Sequence, residues 1–217
     1  IHLMLIIKLF FSTYLIILIS YVYGHHTSLI IFNKKNVLNT FEKIIGGIFS
    51  LSFIALIINF FSPINEIVNN SLFVIFIILF LFLLRNKNIN KNILIEIFLV
   101  TILTVLILSY SNFQEDYPWY SIPYISQLNF EKISFGISNV QFRFGHISIL
   151  QYGSSTIPNF ILDKEFISLP NLIVFTCFCF WLIKKIIFSN IYKKQINIYF
   201  YLFFVSIFVF TKFTRFS

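Results

Sequence analysis

The segment Glu115-Asp116-Tyr117-Pro118-Trp119-Tyr120 follows directly on an apolar run that ends near Tyr110. A carboxylate just outside a membrane span can act as general base toward an acceptor hydroxyl. The neighbouring pair Glu115 and Asp116 can hold a divalent cation through hard oxygen ligands. From Ser111 to about Ser168 the chain also carries Glu131, Asp163 and Glu165, so five of its eight acidic residues fall in one stretch. Arg143 and His146 lie there too. A helix from Ser138 to about Tyr152 would set Asn139, Arg143 and His146 on one side, at i, i+4 and i+7. Arg143 can grip phosphate through a bidentate fork. A carboxylate, an arginine and a histidine held over a bilayer suit a lipid-linked phosphate substrate, with a cation bridging carboxylate and phosphate.

The elements that must position these groups are membrane helices. The 217 residues are 58% hydrophobic, 20% aromatic and only 11% charged, and the mean hydropathy is +0.88. Soluble domains average about 25% charged residues, so the composition predicts an all-α integral membrane protein. The 31 phenylalanines, with abundant Ile, Asn and Lys, match a bias toward AT-rich codons. The net charge of +8 is dispersed among short loops. That pattern suits membrane insertion and argues against a nucleic-acid partner. The chain opens on Ile1 inside an apolar run and closes at Ser217 just past another, and it reads as a fragment of a longer protein.

A helix needs about 20 mostly apolar residues to cross the hydrocarbon core. Six runs approach that length: Leu3–Tyr23, Ile44–Phe61, Ile67–Leu84, Ile93–Tyr110, Leu169–Ile183 and Ile196–Phe210. The organisation expected is four spans over residues 1–110, a large outer loop over 111–168 and two spans over 169–217. Ser62-Pro63 ends the second run and Arg85-Asn86-Lys87-Asn88 the third, while Pro170 opens the fifth, where a missing N–H does no harm. Cytoplasmic loops are enriched in Lys and Arg. Lys34, Lys35 and Lys43 follow span one; Arg85, Lys87 and Lys91 follow span three; Lys184, Lys185, Lys193 and Lys194 follow span five. These rich loops alternate with poor ones. The expected location is a bacterial inner membrane, with the Asp116 loop on the outer side.

Within the loop, Ile122, Ile125, Leu128 and Ile133 approximate one helical face between Ser121 and Phe135. Trp119, Tyr120 and Tyr124 suit the headgroup layer. The pattern predicts a helix lying on the outer membrane surface, broken at Gly136. The second helix, Ser138–Tyr152, is expected to end at Gly153-Ser154-Ser155-Thr156.

Asp116 and Tyr120, followed by Gly136-Ile137-Ser138-Asn139-Val140-Gln141-Phe142-Arg143-Phe144-Gly145-His146-Ile147-Ser148, resemble a family of bacterial multi-spanning proteins related to the GT-C glycosyltransferases. The likeness covers about forty residues of the loop and the general span layout. The closing Lys212-Phe213-Thr214-Arg215-Phe216-Ser217 is similar to the start of a later family segment. The resemblance implies a polyprenyl-phosphate sugar donor used on the outer face of the membrane. It implies Asp116 as the catalytic acid of the first large outer loop, with Tyr120, Asn139, Arg143 and His146 at the substrate. Two positions depart from the pattern: Ser121 stands where the family has His after Tyr, and Gln141 where it has His after Asn-Leu. Those departures leave open a copy with altered chemistry or none.

Other residues read more simply. Asp163-Lys164-Glu165 is a solvated turn, and Glu96 lies one turn inside span four, near water. Cys177 and Cys179 face nearly opposite ways on one helix, so they form neither a metal pair nor a disulfide. His25-His26 follow span one as a headgroup-level pair, and Gly46-Gly47 permits close packing of span two. The alternatives to a transferase are a transporter or flippase for a lipid-linked saccharide, and a polysaccharide polymerase. Transporters carry charged or broken helices at mid-membrane, whereas these spans are nearly free of charge. Polymerases usually place several arginines in the outer loop, whereas this one has a single arginine.

Overall fold

The computed structural model describes residues 2–33, 38–110, 122–133, 148–162, 166–192, 199 and 202–205. Among these described residues seven helices follow in chain order: α1 His2–Phe32, α2 Thr40–Phe61, α3 Glu66–Arg85, α4 Lys91–Tyr110, α5 Ile122–Phe130, α6 Ile149–Ser155 and α7 Leu169–Tyr192. No strand occurs among the described residues. Five stretches, Ile6–Phe32, Thr40–Phe61, Glu66–Arg85, Lys91–Ser109 and Leu169–Ile187, are long and apolar enough to cross a membrane. The protein is an all-α, multi-spanning membrane fold. Most of the sixth expected span, Ile196–Phe210, lies outside the described residues.

Local chemistry sets the helix ends. Asn39 caps α2: its side chain accepts from Glu42 N at 2.9 Å while the Glu42 carboxylate accepts from Asn39 N at 2.8 Å, a reciprocal capping box. Asn65 caps α3 by accepting from Val68 N at 3.1 Å. Beyond Arg85, Lys87 takes a left-handed backbone (φ 53°), which turns the chain toward α4.

α1 corrects the sequence reading. It runs nine residues past Tyr23, so His25 and His26 are inside a helix rather than in a headgroup-level loop. His25 is buried, and a ring nitrogen of His26 lies 3.4 Å from the Leu79 carbonyl of α3. The polar run Gly24–Ser28 stays helical because neighbouring helices and its own preceding turn give it partners. Thr27 and Ser28 donate to carbonyls three or four residues back.

The closest helix contact is between α1 and α2. A Cβ at Gly24 would overlap the Lys43 carbonyl, and one at Gly47 would overlap the Ser20 carbonyl. The two backbones touch because neither glycine has a side chain. Of the glycine pair expected to permit packing, Gly47 does so, whereas a Cβ at Gly46 would meet nothing within 4 Å. α7 closes the bundle against α4 and α2. Thr104 and Thr176 place their hydroxyls 3.0 Å apart. Lys184 Nζ donates to Glu96 Oε1 at 2.7 Å, and Trp181 Nε1 donates to Glu42 Oε1 at 2.8 Å. Glu96 is therefore half-buried in an ion pair joining α4 to α7. Both members keep substantial solvent access, so the pair contributes at most about 1 kcal/mol.

Large apolar side chains cover the outside of the bundle; on α3 alone Val74, Ile78, Leu81 and Phe82 are exposed. Such a surface is matched to hydrocarbon and not to water. Cys177 and Cys179 are both buried and are not joined in a disulfide.

Candidate functional site

The described part of the loop is two short helices fastened to the bundle. α5 begins as the sequence predicts, with Pro123 in its first turn where no intrahelical donor is required, but it ends at Phe130, short of the expected Phe135, and Ile133, expected on its apolar face, is not helical. It buries Tyr124, Ile125 and Leu128 and leaves Ile122 exposed. Tyr124 and Leu128 pack with Ala55 of α2, Ile64 and Tyr152.

α6 departs from expectation in start, length and place. The predicted Ser138–Tyr152 helix is not continuous through Ser148, which is extended (φ −89°, ψ 139°) and serves as N-cap. Ser148 N donates to Gln151 Oε1 at 3.1 Å, and Ser148 Oγ accepts from Leu150 N at 3.3 Å. Gly153, Ser154 and Ser155, expected to end a helix, are its last residues, and Thr156 is the C-cap.

Nor does α6 lie on the bundle's surface. Tyr152 to Ser155 are all buried, and Gly153 packs on Ile48 and Ser52, in the middle of α2. This polar Gly-Ser-Ser-Thr turn survives among apolar helices because its groups bond internally. Ser155 Oγ donates to Tyr152 O at 2.7 Å and Thr156 Oγ1 to Gly153 O at 2.7 Å. Irregular backbone at such depth is tolerated only where protein buries it. Beside it a cavity of ≈ 40 Å³ is bounded by Ser20, Tyr23, Asn69, Thr156 and Asn159 among apolar side chains.

Two asparagines inside apolar helices explain how the loop is held. Asn59, fully buried on α2, donates through Nδ2 to Glu131 O at 3.0 Å and Leu128 O at 3.4 Å, at the C-terminal end of α5. Its own carbonyl accepts from Ile133 N at 3.0 Å. Asn69, 2% exposed on α3, donates to Ser155 O at 3.0 Å, the last carbonyl of α6. The final carbonyls of a helix have no partner within it, so both asparagines act as C-caps supplied by another helix. Asn129, with its amide nitrogen turned to the carbonyls, bridges Ile64 O (2.9 Å) and Ser155 O (3.2 Å). Ile64 N donates to Leu128 O at 2.9 Å, and Asn70 Oδ1 accepts from Phe160 N at 3.0 Å. Each such bond nets about 0.5–1.5 kcal/mol, and an unpaired buried carbonyl costs about 1–3 kcal/mol.

The two loop helices also touch one another. The hydroxyls of Tyr124 and Tyr152 are 3.4 Å apart. Burial first, and then the Tyr152 hydroxyl, pushes the Tyr124 phenol well above its ordinary pKa, so it stays a neutral hydroxyl at physiological pH.

The sequence-predicted site residues Glu115, Asp116, Tyr120, Asn139, Arg143 and His146 lie outside the described residues, as do Ser121, Gln141 and the turn Asp163-Lys164-Glu165. The described structure places their flanks. Tyr120 is two residues before α5, and His146 is two residues before the α6 N-cap. No group of three or more His, Cys, Asp or Glu able to hold a metal occurs among the described residues. Asn59 and Asn69 escaped the sequence reading, although a carboxamide inside an apolar run is a signal in itself.

Residues 4–217 match the sequence profile of the family described as Domain of unknown function (DUF8201). No curated protein and no solved structure matches the chain.

Proposed function

The chain belongs to the DUF8201 family, and for this member we propose a glycosyltransferase embedded in the bacterial inner membrane, moving a sugar from a polyprenyl-phosphate donor to an envelope glycan or lipid on the outer face. The observation that carries this reading is the docking of α5 and α6 on the same bundle and against each other. The segments Glu115–Tyr120 and Asn139–His146 each lead into one of these helices. The two helices into which these segments lead are thereby held in one neighbourhood of the bundle.

In this reading the Asp116 carboxylate accepts the proton of the acceptor hydroxyl. The acceptor oxygen bonds to the anomeric carbon as the bond from that carbon to the phosphate oxygen breaks. The polyprenyl phosphate leaves with the electron pair, and Arg143 holds it through a bidentate fork. Tyr120, Asn139 and His146 orient the sugar. A divalent cation on Glu115 and Asp116 would neutralise phosphate charge.

A second reading, a transporter of lipid-linked saccharides, gains from one observation: α6 and its polar turn reach the middle of α2 beside a cavity, as discontinuous elements do in transporters. Consumption of the donor separates the two, since a transporter returns it intact.

Sidedness is the first test. Reporter fusions at Asn88 and Gln195 are expected to report the cytoplasm, and fusions at Asn65 and at Glu131, an exposed residue of the loop, the outer side, because the basic loops alternate. A cytoplasmic signal from Glu131 would put the loop in the compartment opposite to the one proposed.

A further inference from the structure

We propose that the end of the bundle where α1 stops and α2 begins binds a phosphate anion through the ammonium of Lys43, the phosphate being a phospholipid headgroup or a soluble ion. Lys43 does not lie in the loop after span one. It is the fourth residue of α2 and only 5% exposed. Among the described residues its ammonium faces the Tyr21 ring, 5.8 Å from the centroid, and pairs with no carboxylate. Both described carboxylates at this end are already engaged. Glu42 accepts from Asn39 N and from Trp181 Nε1, and Glu96 is paired with Lys184. The other two, Glu66 and Glu131, belong to the opposite end, at the start of α3 and just after α5.

A buried cation is strongly unfavourable unless something pairs with it. The place of Lys43 adds to the cost, because the opening turn of a helix carries partial positive charge that favours anions and disfavours lysine. Rotating α2 to release the side chain would break the seam, since the Lys43 carbonyl lies against Gly24. An anion at the ammonium answers both terms: it pairs the charge and faces the positive end of α2. The ammonium can be reached, for it is not sealed off as the Tyr21 hydroxyl is. Arg85, Lys87, Lys91 and Lys185 add positive charge at the same end. Basic pockets between membrane helices bind anionic headgroups in this way, and on the topology proposed above this end lies in the cytoplasmic leaflet, where such headgroups set a negative surface potential.

Thermal unfolding of the full chain in nanodiscs is the test. In phosphatidylcholine alone, Lys43→Met is expected to melt at or above the parent, since it removes an unpaired buried charge and keeps the side chain's length. Replacing part of the lipid by phosphatidylglycerol is expected to raise the parent's melting temperature. Lys43→Met is expected to need about ten times more phosphatidylglycerol for the same rise, the loss of one charge-assisted hydrogen bond. Lys43→Gln, which keeps a donor without the charge, is expected to follow Lys43→Met. Lys185→Met, which removes a charge held over the Trp181 ring, is expected to follow the parent. Equal rises in the parent and Lys43→Met, or an equal loss in Lys185→Met, would mean diffuse attraction and overturn the site. Both neutral variants melting well below the parent in phosphatidylcholine would mean that the charge is already paired, and overturn it too. Sodium phosphate added to the phosphatidylcholine discs separates the sources. A rise there that Lys43→Met lacks assigns a soluble phosphate, and a rise with phosphatidylglycerol alone assigns the headgroup. No rise with either overturns the proposal.

Discussion

Gly24→Ala is expected to destabilise the folded bundle by about 3 kcal/mol, the upper end of what overpacking costs. Alanine is the better helix former by about 1 kcal/mol, so propensity alone predicts the opposite sign. The steric term prevails because the new methyl would overlap the Lys43 carbonyl. A backbone carbonyl inside α2 cannot rotate away as a side chain can, so the helices must separate. Separation also loosens the contact at Gly47 and Ser20, one turn along the same seam. Gly46→Ala supplies the control: its Cβ meets nothing within 4 Å, so it is expected to be neutral or stabilising by up to about 1 kcal/mol. Thermal unfolding in one detergent distinguishes the two. The expected separation is roughly 6–12 °C for Gly24→Ala at about 2–4 °C per kcal/mol. Equal melting temperatures would mean that the α1–α2 seam is not in backbone contact.

Asp116→Asn is expected to lower sugar transfer by about 10²–10⁴-fold, the usual contribution of a positioned general base. The amide keeps the shape of the side chain and removes both its charge and its basicity, so insertion and melting temperature are expected to hold. Arg143→Lys should act differently. Lysine keeps the charge but replaces a planar fork by a point charge, so donor KM is expected to rise about tenfold with a smaller change in kcat. The contrast assigns one residue to the chemistry and the other to the phosphate. If both variants changed only KM, Asp116 would be a binding residue and not a base.

The spanning helices were legible because lipid imposes a length and a composition on them. α2, α3, α4 and α7 begin within four residues of the expected runs, and Ser62-Pro63 and Arg85 stop their helices as read. α1 was misjudged at its end. The polar run Gly24–Ser28 resembles an exit from the membrane, but the partners that keep it helical come from its own preceding turn and from residues more than fifty positions away, such as Leu79. Glu96 keeps the access to water expected of it, but nothing local announces its partner Lys184, 88 positions along the chain.

α6 was misplaced for a different reason. Periodicity favoured a long amphipathic helix, yet Ser148-Ile149-Leu150-Gln151 is a capping-box pattern that marks the true start, and it was available in the sequence. Its burial was not, because a Gly-Ser-Ser-Thr turn looks like a surface loop unless the Asn69 donor that closes it is known. Of the candidate site, the flanking helix α5 and the existence of a helix ending near Ser155 were legible. The depth of α6 and the asparagine fastenings needed the fold. Asp116 and Arg143 themselves remain an inference from residue type, spacing and resemblance.

The most direct test of a transfer site in this loop is donor consumption by the purified full-length protein in sealed proteoliposomes. A polyprenyl-phosphate sugar carrying label in the sugar is supplied together with an envelope-lipid acceptor. The expected result is loss of label from the donor and its appearance in the acceptor, blocked when a membrane-impermeant reagent modifies the loop side, and reduced at least about a hundredfold by Asp116→Asn. Donor that stays intact while crossing the bilayer, or equal consumption by Asp116→Asn and the parent protein, would contradict it.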